Sequence, residues 1–189
     1  MRMTPRFKER KTTQAAAVLV QLGGGRMNYM HLIKLLYLID RQALTEWGQP
    51  VTFDAYVSMN QGPVLSRTLE LINEGMRPGR PSYWNEHISI IERYDVELAS
   101  PVPTGELSEA EVDLINATFE KYGHIGKWDL VDWLHDILPE WQDPEGSCLP
   151  IEYEGILEAV GKDEKDVKSI LDELTLIGFV DELLPEEAV

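Results

Sequence analysis

The segment from Tyr29 to Trp47, "YMHLIKLLYLIDRQALTEW", constrains this chain more than any other stretch. Leu32, Ile33, Leu35, Leu36, Tyr37, Leu38 and Ile39 put apolar groups on nearly every side of a helix. A helix that is apolar most of the way round needs neighbours on several faces. The rest of the chain must therefore supply layers around it. Asn28 is placed to cap its start, and the run reaches Gly48. Three polar side chains interrupt the apolar surface: Lys34 and Arg41, one heptad apart, and Asp40. The two basic stems are expected to cover apolar surface while their heads reach water; a functional charge pair is the alternative.

The surrounding elements follow from local pattern. "TTQAAAVLVQL" (12–22) predicts a helix begun by Thr12 or Thr13 and stopped by Gly23-Gly24-Gly25. No strand precedes these glycines and no Gly-Lys-Ser/Thr follows, so they read as a helix end rather than a phosphate loop. "TFDAYVSM" (52–59) is rich in β-formers. Val64, Leu65, Thr68, Leu69 and Ile72 share one helical face, which predicts a helix over 63–74 with Gly62-Pro63 as its hinge and Pro63 at the first helical position. "MRPGRP" reads as loop. Ile88 with Ile90, and Val96 with Leu98, alternate across a bend near Arg93, which predicts an antiparallel hairpin that the 52–59 strand extends. Ser108 and Glu111 form a capping box with Leu107 and Val112 as staple, and Ile115, Phe119 and Tyr122 continue that helix to Gly123. A further helix covers Lys127 to Leu138, is ended by Pro139 and leaves "EWQDPEGS" as loop.

Residues 151–189 hold two amphipathic segments, one marked by Ile156, Leu157 and Val160, the other by Val167, Ile170, Leu171 and Leu174, with Gly178 after it. "VKSILDELTLIGFVDEL" is similar to the last helix and strand of a winged helix. Its charge opposes that use: the tail carries 12 acidic residues against 3 lysines, a net of −9, which phosphate would repel. The fold class expected is mainly helical α+β, with a small antiparallel sheet of about three strands. Residues 1–150 form the expected domain, and 151–189 an acidic helical extension packed on it.

Across the whole 189-residue chain the net charge is −16. That disfavours nucleic acid and anionic membrane and favours a basic protein partner. The single cysteine, Cys148, forms no internal disulfide, which points to a reducing cytoplasm. The basic start followed by "AAAVLV" imitates a secretion signal but is short, is broken by Gln21 and lacks a cleavage site.

The helix "KWDLVDWLHDILPEW" concentrates the chemistry. Asp129, Asp132 and Asp136 share a face and His135 adjoins it, so an acid–base or metal-dependent enzyme using Asp132, His135 and Asp136 has to be weighed. Against it, no H-x-x-x-H occurs, and His31, His87 and His124 lie in other elements. Acidic neighbours disfavour a Cys148 thiolate, and no nucleophile motif is present. A solvated acidic face is the expectation, with no catalytic residue, metal or cofactor. Trp133 and Trp141 suit either an interface or the core.

The stretch "LIKLLYLIDRQALTEWGQPVTFDAYVSMNQGPVLSRTLELI" resembles the Panacea domain, the SocA-like antitoxin family. Lys34, Leu35, Leu36, Tyr37 and Asp40 match its first helix motif. Gly48, Pro50, Tyr56, Gly62, Pro63 and Val64 match the following turn, strand and Gly-Pro-Val step. "LVDWLHDILPEW" is similar to a later histidine helix ending in Pro-Trp, with Glu140 inserted between Pro139 and Trp141. The resemblance spans about residues 12–142. It implies a non-enzymatic antitoxin that binds a toxin encoded beside it in a bacterial or phage operon, the motif residues serving as scaffold. Some members are thought to act as adaptors that deliver the toxin to an ATP-dependent protease. Asp132, Trp133, His135, Asp136 and Trp141 are the candidate partner-binding residues.

Overall fold

The computed structural model describes residues 4–75 and 81–184. Along the chain it runs α1 (Glu9–Leu22), β1 (Arg26–Asn28), α2 (Tyr29–Trp47), β2 (Tyr56–Met59), β3 (Gly62–Leu65), α3 (Ser66–Gly75), α4 (Tyr83–His87), β4 (Ile88–Ile91) and β5 (Asp95–Leu98). It continues with α5 (Glu109–Tyr122), α6 (Lys127–Ile137), β6 (Leu149–Ile151), α7 (Tyr153–Ala159) and α8 (Glu164–Leu183). The expected mainly helical α+β class holds, with two three-stranded antiparallel sheets in place of one.

Helix α2 is the central element that its composition requires. It touches α1, α3, α5, α6, α7, β1 and β3, and its residues 32–40 are all buried. The Asn28 side chain accepts from the Met30 N–H at its start, and Gly48 ends it in the left-handed conformation with φ 73°. The Ser108–Glu111 capping box of α5 forms in both directions, and Leu107 is buried in the core against which Val112 packs.

Several expectations change. Helix α1 begins at Glu9, and no side chain caps it. Thr12 and Thr13 lie inside the helix, where their hydroxyls donate to the carbonyls of Lys8 and Glu9, so hydroxyls that look like caps bond backward along the helix. Gly62-Pro63 is not a hinge into a helix. Gly62 to Leu65 form β3, paired with β2 so that Met59 faces Gly62 and Ser58 faces Pro63, and α3 starts only at Ser66. Hairpin pairing across the Asn60-Gln61 turn overrides Pro63's helix-start preference.

The 88–98 hairpin forms, with Arg93 at positive φ in its bend. Its third strand is β1, not 52–59; β2 instead joins β3 and β6 in the second sheet. Nor does a winged helix form at the tail. Helix α8 runs unbroken through Gly178 to Leu183, and no strand follows it among the described residues. The loop expected over "MRPGRP" (76–81) lies, apart from Pro81, outside the described residues.

Helix α8 is held at two places. The acidic end of α8 receives the basic N-terminal segment: the Arg6 backbone N–H and Lys8 Nζ each donate to the Asp181 carboxylate at 2.8 Å, and Arg6 Nη2 donates to its carbonyl at 2.6 Å. Gly48 meets Ile170 of α8, where a Cβ on the glycine would stand 3.3 Å from the isoleucine side chain. The charge asymmetry of the two ends thus closes on itself in part.

Candidate functional site

Asp40 interrupts the apolar run of α2 because it organises the turn that follows. It is 1% exposed. Its carboxylate accepts from the backbone N–H of Val51 at 2.9 Å and of Thr52 at 3.0 Å, from the Thr52 hydroxyl, and from the Tyr56 hydroxyl at 2.9 Å. Burial pushes its pKa up to about 6, opposed by the bonds from Thr52 and Tyr56. Tyr56 stands edge-on to Tyr37 and Tyr153. Asp54, also buried, accepts from the backbone N–H groups of Arg67 and Thr68 and from the Thr68 hydroxyl. It thereby caps α3 from the preceding loop, where a carboxylate also favours the helix dipole.

Lys34 does not snorkel. It is 1% exposed, and its Nζ donates to the Pro63 carbonyl at 2.7 Å. No carboxylate among the described residues pairs with it, and burial lowers its pKa to about 7. Gly62 lies beside it: a Cβ there would be 3.4 Å from Lys34 Nζ and 3.6 Å from His135 Nε2. Gly62 itself has φ 92°, a conformation L side chains rarely adopt. The Gly-Pro step therefore brings backbone, lysine and histidine together at a position where the left-handed backbone, rather than lack of space, favours glycine. The missed signal for Lys34 lies in its helix: one apolar on every side leaves a mid-helix lysine no route to water.

His135 of α6 stacks on Trp141 at 3.9 Å between ring centroids. Its Nε2 is buried without a hydrogen-bond partner. Burial first, and the Lys34 charge second, hold its pKa below the ordinary histidine value. Trp141 donates from Nε1 to the Met59 carbonyl at 3.1 Å. Glu140, inserted in the Pro-Trp motif, accepts from the Tyr37 hydroxyl at 3.0 Å and from Arg41 Nε at 2.6 Å. Arg41, about a fifth of whose side chain stays exposed, ties α2 to the segment after α6.

The residues singled out from the sequence divide into two sets. Lys34, Leu36, Tyr37, Asp40, Gly48, Pro50, Tyr56, Gly62, Pro63 and Val64 are all buried, and most meet around the β2–β3 hairpin. Among Asp132, Trp133, His135, Asp136 and Trp141, only the two aspartates are exposed. Trp133 rests against Tyr122, while His135 and Trp141 turn inward to the hairpin. Among the described residues, no three His, Cys, Asp or Glu side chains are placed to hold a metal ion.

Two surface features escaped the sequence reading. The first is a cavity of about 360 Å³ walled by Met30, Ile33, Met59, Val64 and Leu69, with Lys34 in its lining. The second is the outer face of α8. Val167, Leu171, Leu174 and Gly178 are buried, whereas Leu176, Phe179, Val180 and Leu183 are 63%, 50%, 49% and 69% exposed. Their i, i+3, i+4, i+7 spacing makes one apolar stripe. Asp172, Glu173 and Glu182, all exposed, flank it.

No helix of the described residues is long and apolar enough to cross a membrane. The model of one family, described as antitoxin SocA-like, Panacea domain, matches residues 32–142. That span runs from the first buried turns of α2, through the hairpin, to the His135–Trp141 stack. No match to the chain is found among curated proteins or solved structures. With the matched span covering more than half of the chain, this protein belongs to the SocA-like antitoxin family and carries its Panacea domain.

Proposed function

We infer that this protein neutralises a cognate toxin by binding it directly, with no catalytic step. Family membership supports the antitoxin role. The observation that carries direct binding is the outward stripe of α8, four large apolar side chains on a helix that already buries a separate face. Contiguous exposed apolar surface of this kind marks interaction sites. The acidic residues flanking it select a partner whose apolar contact face is ringed by lysine and arginine. A second copy of this chain fits less well, since two tails of like charge would meet. The net charge of −16 would also speed encounter with a basic toxin at low salt.

The exposed Asp132 and Asp136 of α6 extend this acidic character and are proposed as peripheral contacts. The inward His135 and Trp141 hold the hairpin instead. On this reading residues 1–150 are the antitoxin domain, and the 151–189 extension supplies the docking helix.

The test is growth. The open reading frame beside this gene is expressed alone in a bacterial host and then together with this protein, which carries an affinity tag. Arrest by the neighbour alone, rescue on co-expression and copurification are the expected results. A harmless neighbour, or rescue without any complex, contradicts direct neutralisation.

A further inference from the structure

A lysine ammonium has three N–H donors, and in the buried interior each needs an acceptor. Lys34 has one acceptor, the Pro63 carbonyl, and no counter-charge among the described residues. Taking such a charge out of water is costly unless it is paired. Lys34 belongs to the lining of the cavity between the start of α2 and the β2–β3 hairpin, so this under-paired residue lies at the wall of a space of ligand size.

We propose that the cavity over Lys34 binds a monocarboxylate carried on an apolar stem. Charge sets the anion. One lysine suits one negative charge, and a chain of net −16 repels polyanions such as nucleotides. Shape and lining set the stem. Ile33, Val64 and Leu69 wall the cavity with hydrocarbon, Met30 and Met59 add adaptable thioethers, and about 360 Å³ is the size of a small-molecule site. Asn60 and Gln61 belong to the same lining, and their amides can donate further to a carboxylate. The start of α2, with its positive dipole end, borders the cavity at Tyr29 and Met30 and favours an anion in the same sense. His135 Nε2, facing Gly62 without a partner, stands by the same lysine.

Two sources share this chemistry, the free C-terminus of a polypeptide ending in an aliphatic residue and a free acylamino acid. Neither depends on the antitoxin reading. The experiment is an NMR titration of the full chain with N-acetyl-leucine, with its carboxamide N-acetyl-leucinamide, and with N-acetyl-Ala-Ala-Leu bearing a free C-terminus. The acid is expected to shift resonances around the cavity, and the uncharged amide is expected to bind at least ~10-fold more weakly. Lys34→Met, of similar volume without charge, is expected to lose the discrimination. Met30→Trp, which narrows the cavity without touching Lys34, is expected to weaken the acid and serves if Lys34→Met fails to fold. Tighter binding of the tripeptide than of N-acetyl-leucine assigns the site to polypeptide ends, and equal or weaker binding assigns it to free acids. Equal binding of acid and amide, shifts confined to other surfaces, or no shift at millimolar ligand overturns the proposal.

Discussion

Two buried charged groups, Lys34 and Asp40, lie on the same helix α2 and behave oppositely. Asp40 is surrounded by donors. Replacing it with alanine leaves the Val51 and Thr52 N–H groups and the Tyr56 hydroxyl buried without an acceptor. Asp40→Ala is expected to cost about 3 kcal/mol, read from the denaturant midpoint. Lys34 has one acceptor and no counter-charge among the described residues, and burial weakens its hold on the proton in the folded chain, with a pKa of about 7 against an ordinary 10.5. Between those values the unfolded chain holds a proton that the folded chain has shed. Stability contributed by this residue therefore rises with pH from about 7 upward, by at most ~1.4 kcal/mol per pH unit. Urea titrations at pH 7 and 9 are expected to show that rise in the parent and a flatter response in Lys34→Met. An equal slope in both proteins would refute the assignment. Asp40 was legible as an interruption of the apolar run, but its partners lie 11 to 16 residues away, beyond the reach of local pattern.

At the scale of elements, what the sequence disclosed depended on how local each signal is. The capping box of α5 involves residues a turn apart, and it forms as read. The Gly-Pro-Val step reads as a hinge because Pro63 suits a helix start, whereas the two-residue Asn60-Gln61 turn folds it back as a strand that pairs Met59 with Gly62. Strand β6 has no local signal at all: "LPI" is three residues long and owes its conformation to distant pairing with Tyr56, Val57 and Ser58. The hairpin has a testable weak point. Gly62→Ala must hold a side chain at φ 92° with Lys34 Nζ 3.4 Å away. A cost of about 1–2 kcal/mol is expected in thermal or denaturant unfolding. A neutral result would mean that the turn relaxes and that Gly62 does not fix the lysine. The outer stripe of α8 had a signal that was passed over, since helical spacing continues past Gly178, a residue that the fold uses for packing rather than for termination.

The whole molecule is a helix-centred core with its extremities clasped together. Ile156, Leu157, Val167, Leu171 and Leu174 join the same core as α2, and Lys8 and Arg6 fasten Asp181. Removal of residues 153–189 is therefore expected to lower the melting temperature by many degrees and to expose dye-binding surface, because each large side chain that loses its cover accounts for roughly 1.5–3 kcal/mol. An unchanged melting temperature would make the tail a separate appendage. By contrast, Phe179→Asp with Leu183→Asp alters side chains that are half or more exposed and is expected to leave the melting temperature nearly unchanged. That separation of folding from docking gives the account its most direct test. The toxin is co-expressed with the tagged parent or with this double variant, and the purified material is sized at low salt. An equimolar complex with the parent, lost together with growth rescue in the folded double variant, is the predicted result. Rescue by a parent that forms no complex, with toxin abundance falling instead, would contradict direct neutralisation and point to delivery of the toxin for degradation.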